Sequence, residues 1–163
     1  MQKTIPTPEI FGPESGDVLV CGWGSTYGSI KSAVEQLRSQ GKSVAAVHMR
    51  HIWPLAPGLD EMFGRYRTVL VPELNLGQLA RLLRSEFPHH AIASYPKVQG
   101  LPFTTAELVD RIEVVVRFLA VLELFKQGVV ELDQVTAFGD ITVIWTGGED
   151  VNADAIVIDT YEG

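Results

Sequence analysis

The sequence predicts an α/β fold, a sandwich built on a parallel sheet, followed by a long helix and a β-hairpin. Four short apolar runs alternate with segments whose apolar residues recur at helical spacing, and such alternation is typical of a parallel sheet covered by helices. The charge pattern changes near residue 110: formal charges cancel before it, whereas the net charge of −7 lies entirely after it. We therefore expect an α/β domain over residues 17–110 and a different module after it.

The elements of the α/β domain are indicated by local pattern. Residues 1–16 are rich in proline and glycine, which predicts a linker. Apolar runs of strand length predict four strands, at residues 17–21, 44–48, 68–71 and 92–95. Periodic apolar residues predict two helices, one with the face Ile30, Ala33, Val34 and Leu37 and one with the face Leu76, Leu79, Ala80, Leu83 and Phe87. Between them, after Pro54 and Pro57 break the chain, a short helix is expected around Leu59–Phe63. Gly41 is expected to end the first of them.

Residues 105–127 predict one long helix with a signal at each end. Thr104 and Glu107 have the spacing of a capping box, and Gly128 is a suitable residue to follow the helix. Apolar residues lie on both sides of its second half, so this half must be covered on two sides.

A hairpin and a tail are predicted after the long helix. Residues 129–135 and 141–146 have the pattern of two strands joined by a turn. Residues 147–163 are acidic and predict a mostly disordered tail, within which residues 155–158 could pair as an edge strand.

Composition restricts the broad class of protein. The apolar fraction of 46% supports a packed core, and no apolar run at the amino terminus has the form of a secretory signal. The single Cys21 cannot form an internal disulfide, so we expect a cytoplasmic protein. Residues 112–125 are the most apolar stretch, but they are charged and too short to span a membrane. The acidic excess argues against direct binding of nucleic acid.

The side chains offer no catalytic or metal-binding set by spacing alone. His48 and His51, like His89 and His90, lack cysteine or carboxylate neighbours at metal-ligand spacing, so we interpret them as surface histidines without a metal. No serine or cysteine is associated with a histidine and an acid, so no catalytic residue is predicted.

A glycine-rich loop follows the first strand and precedes the first helix. Backbone N–H groups near Gly22, Gly24 and Gly28 could hold a phosphate at the positive end of that helix. Alternatively, the glycines allow a sharp turn between packed elements. The acidic residue that a dinucleotide site would place at the end of the second strand is absent.

A second polar group follows the third strand and comprises Glu73, Asn75, Gly77 and Gln78. Glu73 lies at the carboxyl end of a strand, where ligands of open α/β sheets usually bind. Asn75 could cap the next helix, and Gly77 would allow close approach. The alternative is a capped helix start with a buried, hydrogen-bonding Gln78.

Four ordered motifs, at residues 22–28, 48–54, 72–79 and 97–103, resemble the C-terminal end of the α subunit of 2-oxoacid:ferredoxin oxidoreductases, especially the 2-oxoglutarate enzymes. The resemblance covers roughly residues 5–110. It implies a domain similar to the transketolase C-terminal domain. It also implies a complex that uses thiamine diphosphate to decarboxylate a 2-oxoacid oxidatively to an acyl-CoA, with electrons passing to ferredoxin through an iron–sulfur cluster.

The same resemblance implies a non-catalytic role for this chain. In that family the upstream domains and the β subunit supply the thiamine and cluster sites, so no cofactor is expected on this chain alone. Its partners would be the β subunit and, through the whole complex, ferredoxin. The expected interface or ligand loops comprise Gly22, Gly24, Ser25, Thr26, Glu73, Asn75, Gly77 and Gln78.

Residues 111–146 are similar to a different family, the C-terminal winged helix of segregation and condensation protein A, the bacterial kleisin. This resemblance implies a protein-interaction module that binds an SMC ATPase head in chromosome segregation and condensation. Because the preceding kleisin helices are missing, we expect a partial winged helix in an apparent fusion. Its apolar face, with Phe118, Val121 and Phe125, would bind the partner or cause self-association.

Overall fold

The computed structural model describes residues 5–134 and 141–146, which contain seven strands and four α-helices. The strands are β1 (Ile10–Phe11), β2 (Gly16–Trp23), β3 (Val44–Met49), β4 (Tyr66–Glu73), β5 (Ile92–Pro96), β6 (Val130–Asp133) and β7 (Thr142–Trp145). The helices are α1 (Tyr27–Ser39), α2 (Leu59–Phe63), α3 (Gln78–Glu86) and α4 (Thr105–Lys126). The chain divides into two compact units, Met1–Arg117 and Phe118–Gly163.

The first unit is built on a five-stranded sheet in the order β1-β3-β2-β4-β5. The four predicted strands are β2 to β5, and β2 pairs in parallel with β3 and β4, as β4 does with β5. Val20, at the centre of the sheet, lies opposite both Ala46 and Leu70. The prediction of an α/β fold with a mainly parallel sheet is therefore confirmed.

Residues 1–16 were predicted to be a linker, and this prediction is wrong for Ile10–Phe11. These two residues form β1, which pairs antiparallel with β3 and places Phe11 opposite Ala46. The cationic groups of Lys31 and Arg38 lie 5.2 and 5.7 Å from the centre of the Phe11 ring. A strand of two residues has no alternation to recognise, so the sequence pattern could not indicate it.

The helices bury nearly the faces that the periodicity predicted. On α1 the buried residues are Ile30, Ala33, Val34 and Leu37. On α3 they are Leu79, Ala80 and Leu83, and Phe87 packs edge-on against Phe63 at 5.4 Å. The inclusion of Leu76 was wrong: its side chain is 67% exposed, because α3 begins only at Gln78.

Both predicted end signals of α4 are confirmed. The Thr104 amide donates to Glu107 Oε2 at 2.7 Å, and the Glu107 amide donates to Thr104 Oγ1 at 3.2 Å, which is a capping box. After the helix, Gly128 has a φ of +73°. Its amide donates to the Phe125 carbonyl and the Val129 amide to the Leu124 carbonyl, the hydrogen bonds of a Schellman motif.

The second unit contains the predicted hairpin. Strands β6 and β7 pair antiparallel, with Val130 opposite Trp145 and Asp133 opposite Thr142. The turn at residues 135–140 and the predicted tail at 147–163, including the edge strand at 155–158, lie outside the described residues. The winged helix stays a prediction. None of the helices described has the length and apolarity needed to cross a membrane.

We predict that Glu107 makes stability depend on pH in the acidic range. The hydrogen bond from Lys97, and then those from Thr104, lower the pKa of Glu107 from 4.5 to about 2. Because the folded-state pKa lies below the unfolded one, this stabilisation is present above pH 4.5 and is lost as the pH falls through about 2. In urea unfolding, Glu107→Gln should therefore be less stable than the parent at pH 7 and approach it near pH 2.

Lys97→Met is the matched variant for this prediction, because it removes the largest cause of the lowered pKa and leaves the capping box. In the Lys97→Met background, the stability difference between Glu107 and Glu107→Gln should depend much less on pH than it does in the parent. A Glu107→Gln penalty of the same size at pH 7 and pH 2 would contradict the assignment.

Candidate interface at the carboxyl edge of the sheet

The four sequence motifs meet at one edge of the parallel sheet. Strands β2, β3, β4 and β5 end at Trp23, Met49, Glu73 and Pro96, and each motif contains or directly follows one of these ends. Because the strands are parallel, their carboxyl ends lie along the same edge, which is where open α/β sheets usually bind their ligands.

Glu73 is the central polar group of this edge. Its side chain is fully buried, and its carboxylate accepts hydrogen bonds from the amides of Leu79 at 2.8 Å and Ala80 at 3.0 Å. It also accepts a hydrogen bond from the indole Nε1 of Trp23 at 3.3 Å. The carboxylate thus lies at the positive amino end of α3, an arrangement that favours a negative charge. Glu73 is consequently held in place by donors from α3 and from the end of β2.

Asn75 completes the start of α3. Its Oδ1 accepts hydrogen bonds from the amides of Gly77 at 2.8 Å and Gln78 at 3.1 Å. Together, Asn75 and Glu73 occupy the first three helical N–H groups, those of Gln78, Leu79 and Ala80. The prediction that Asn75 caps this helix is confirmed. The alternative of a buried Gln78 was wrong, because Gln78 is exposed and the buried polar side chain is Glu73.

Two of the predicted glycines lie close to neighbouring side chains. A Cβ on Gly77 would lie 2.6 Å from Ser94 Oγ, and its φ of +80° disfavours other residues. A Cβ on Gly22 would overlap Ile30 Cδ1 and lie 2.9 Å from Thr26 Oγ1. The geometry therefore favours a tight turn between β2 and α1.

The remaining predicted residues of the first loop differ in exposure. Ser25 and Gly24 are exposed in a 3₁₀ turn, whereas Thr26 is buried. Thr26 Oγ1 donates to the Trp23 carbonyl at 2.8 Å and accepts from the Trp23 amide at 3.2 Å. That Gly24, Ser25 and Thr26 take part in an interface stays a prediction.

Two residues of this edge were not selected from the sequence. Trp23 joins the two polar groups, since its backbone contacts Thr26 and its indole contacts Glu73. Lys97 holds the loop after β5: its Nζ donates to Glu107 at 2.6 and 2.8 Å and to the Pro102 carbonyl at 3.0 Å. The Lys97 amide also donates to the Glu73 carbonyl at 2.8 Å. Trp23 and Lys97 lie in two of the four motifs, at or beside the end of a strand. This position is the one sequence signal that could have indicated them.

The apolar side chains of this edge are open to solvent. Trp53 is 70% exposed, Leu76 67% and Leu101 64%. Every exposed large apolar side chain described between residues 5 and 104 either follows the end of one of the four parallel strands or begins the helix after it. This set, which we call the edge patch, comprises Tyr27, Trp53, Leu74, Leu76, Val98 and Leu101. The edge thus combines hydrogen-bonded loops with exposed apolar tips.

Two titratable groups near the edge, Cys21 and His48, have shifted pKa values. Burial, and secondarily the charge of Glu73, raises the pKa of Cys21 to about 12, so its thiol stays protonated near neutral pH. Burial, and then the charge of Arg50, lowers the pKa of His48, whose Nδ1 is buried without a hydrogen-bond partner. The His48 ring lies edge-on to Tyr27 at 5.1 Å.

The predicted kleisin-type face lies on α4, in the second unit. Phe118 and Phe125 are 53% and 48% exposed, and Val121, one turn after Phe118, is half-buried. Their spacing places them along one side of the helix. Partner binding by this face stays a prediction.

Residues 16–108, more than half of the chain, match the family described as pyruvate:ferredoxin oxidoreductase core domain II. The chain therefore belongs to this family. Residues 73–146 also match the family of segregation and condensation protein ScpA, so the two matches overlap over residues 73–108.

Individual relatives are similar to the first part of the chain. The 2-oxoglutarate oxidoreductase subunit KorA of Mycobacterium tuberculosis is 39% identical over 105 residues, covering 64% of this chain and 16% of that protein. Subunit alpha of 2-oxoacid:ferredoxin oxidoreductase 1 of Aeropyrum pernix is 31% identical over 111 residues, covering 66% and 17%. This chain thus spans less than a fifth of either curated relative.

A solved structure is also similar. It is the 2-oxoglutarate:ferredoxin oxidoreductase from Magnetococcus marinus with 2-oxoglutarate, coenzyme A and succinyl-CoA bound. It matches with a TM-score of 0.66 and 31% identity, over 70% of this chain and 20% of that chain.

We predict that Glu73 stabilises the edge through its charge-assisted hydrogen bonds. Glu73→Gln should lower the free energy of unfolding by about 1–3 kcal/mol, because the amide nitrogen of glutamine would face an N–H donor in a buried position. Trp23→Phe should have a smaller effect, about 0.5–1.5 kcal/mol, because it removes one hydrogen bond and keeps a ring. Urea unfolding measures both.

Gln78→Ala is the control, since Gln78 is exposed beside the same helix start. It should leave the unfolding midpoint nearly unchanged. Equal losses in Gln78→Ala and Glu73→Gln would show that the helix start, rather than the buried carboxylate, is sensitive.

Proposed function

We propose that this chain acts as a non-catalytic interface domain of the α subunit of a 2-oxoacid:ferredoxin oxidoreductase. The observation that carries the proposal is the edge patch, because its exposed apolar residues lie within or directly beside the four motifs that resemble the family. In the complex the substrate would be 2-oxoglutarate, which is named for the solved relative and for the mycobacterial one. The products would be an acyl-CoA, carbon dioxide and reduced ferredoxin.

An interface role accounts for the chemistry of the edge patch. Fully burying a leucine or similar side chain contributes roughly 1.5–3 kcal/mol, so several exposed ones favour association. Contiguous apolar surface commonly marks a protein-interaction site. The hydrogen bonds of Glu73 and Lys97 hold the loops in one conformation, which lowers the entropic cost of binding.

The residues of this chain do not fit the cofactors of the complex. A four-thiolate iron–sulfur cluster requires several cysteines, and the chain has only Cys21, which is buried. At the start of α3, the N–H groups that could hold a diphosphate already donate to Glu73 and Asn75. We therefore assign thiamine diphosphate and the cluster to other parts of the complex, including the β subunit, and no reaction step to this chain.

The edge patch predicts which substitutions weaken assembly. The binding partner for the test is the mycobacterial KorA subunit without the part that this chain matches, together with its β subunit. Leu76→Ser and Leu101→Ser should each weaken this binding by about tenfold or more, because a tenfold loss needs only about 1.4 kcal/mol and burying a leucine contributes more than that. Both side chains are exposed, so the stability of the free chain should change little. Biolayer interferometry measures the affinity, and urea unfolding measures the stability.

Ile144→Ser is the matched control, because Ile144 is also an exposed apolar residue, 44% exposed, but lies in the hairpin. It should bind as the parent does. Equal weakening by all three variants, or by none of them, would contradict an interface at the carboxyl edge.

We propose, as the alternative function, a kleisin-type interaction module for residues 111–146. It is supported by the ScpA family match and by the exposed Phe118 and Phe125. The partner would be an SMC ATPase head, and the same face would otherwise lead to self-association.

Phe118→Ser and Phe125→Ser distinguish the alternative from the first proposal. Under the alternative, each should reduce binding to an SMC head by about tenfold or more, because each removes an aromatic side chain from the contact. Neither should affect binding to the oxidoreductase subunits. Sedimentation of the parent and the variants tests self-association. Absence of any SMC-head binding by the parent would refute the alternative.

A further inference from the structure

Three potential metal ligands meet at the opposite, amino edge of the sheet. Asp60 lies in the first turn of α2, and His89 and His90 are separated from β5 by Ala91 alone. The Nε2 atoms of His89 and His90 lie 2.8 and 2.9 Å from the same oxygen, Asp60 Oδ1. The ligand atoms of all three residues lie within 4.8 Å of one another. The sequence indicated no metal site here because Asp60 is 30 residues from His90.

One histidine is fixed by packing, whereas the other two groups are open to solvent. The His90 side chain is 13% exposed and lies edge-on to Phe63 at 6.0 Å. The His90 amide donates to the Phe87 carbonyl at 3.2 Å, which fixes the turn before β5. His89 is 61% and Asp60 59% exposed, so an ion can enter and keep water ligands.

The arrangement is close to the one that a divalent transition metal requires. Zinc takes imidazole nitrogens and carboxylate oxygens at about 2.0–2.2 Å, which places tetrahedral ligand atoms about 3.3 Å apart. The present nitrogen–oxygen distances of 2.8 and 2.9 Å need to open by about half an ångström, which the exposed Asp60 side chain can provide. The imidazole rings of His89 and His90 have centroids only 4.2 Å apart. Two protonated rings at this distance would repel, whereas two neutral rings could share one cation.

We propose that Asp60, His89 and His90 bind a divalent transition-metal ion of the zinc type, with the remaining coordination positions taken by water. Because Asp60 belongs to α2 and the histidines precede β5, the ion would link two segments of the α/β domain. Magnesium and calcium are poor candidates, since they prefer oxygen ligands.

Calorimetric titration of the chelator-treated full chain with Zn²⁺ tests the proposal. Excess Ca²⁺ in the buffer occupies acidic groups that would bind the metal without specificity. The parent should bind one Zn²⁺ per chain, and Zn²⁺ should raise its thermal unfolding midpoint. His89→Ala and Asp60→Asn should each weaken binding by more than the roughly tenfold that the loss of an outer-shell partner costs. They should also lose the midpoint shift.

The controls separate this site from the other histidines. His51→Ala, which removes an exposed histidine of a different loop, should bind Zn²⁺ as the parent does. The imidazole NMR signals of His89 and His90 should shift on Zn²⁺ addition, and those of His48 and His51 should not. His89 is exposed, so its replacement should leave the metal-free fold intact, which circular dichroism checks. Equal affinity in His89→Ala and the parent would overturn the proposal.

Discussion

The carboxyl edge of the sheet depends on one buried charge. Among the described residues, the hydrogen-bond donors to the Glu73 carboxylate are two backbone amides of α3 and the indole of Trp23, none of them a basic side chain. Burying a carboxylate without such partners would be very unfavourable, so these donors must stay where they are for the fold to tolerate the charge. This requirement fixes α3 relative to β4 and, through Trp23, relative to β2. Gly77, which precedes α3, has a φ of +80°, a conformation that strains any other residue.

The loops at the carboxyl edge combine two properties that rarely occur together. They are held by hydrogen bonds, and yet they expose apolar side chains to water. Loops that serve only to connect strands are usually polar and mobile. Here the loop after β5 is held by the half-buried Lys97, which contacts Glu107, Pro102 and the Phe103 ring. Yet Val98 and Leu101 in the same loop are 64% exposed. The loop is thus held by several contacts although two of its apolar residues lie in water.

Sequence patterns predicted what depends on neighbouring residues and failed for what depends on strand order. The capping box and the Gly128 end signal are local and were found, as were the helix faces apart from Leu76. The contact of Trp23 with Glu73 spans 50 residues and exists only because β2 and β4 are adjacent, which no periodicity reveals. Leu76 was assigned to the helix face because it has helical spacing to Leu79 and Ala80. It lies outside the helix because Gly77, with a positive φ, forms a turn before α3 begins. The meeting of Asp60 with the histidine pair has the same non-local origin.

Local sequence signals define the ends of the long helix α4, but they do not determine which of its side chains are buried. The capping box at Thr104 and the Schellman motif at Gly128 fix its length from a few residues at each end. Between them, Leu108 and Ile112 are fully buried, whereas Phe118 is 53% exposed. Local signals therefore suffice to form the helix, but they give no reason for an aromatic residue to face water. That residue lies beyond residue 108, in the segment that the ScpA family matches and the oxidoreductase family does not.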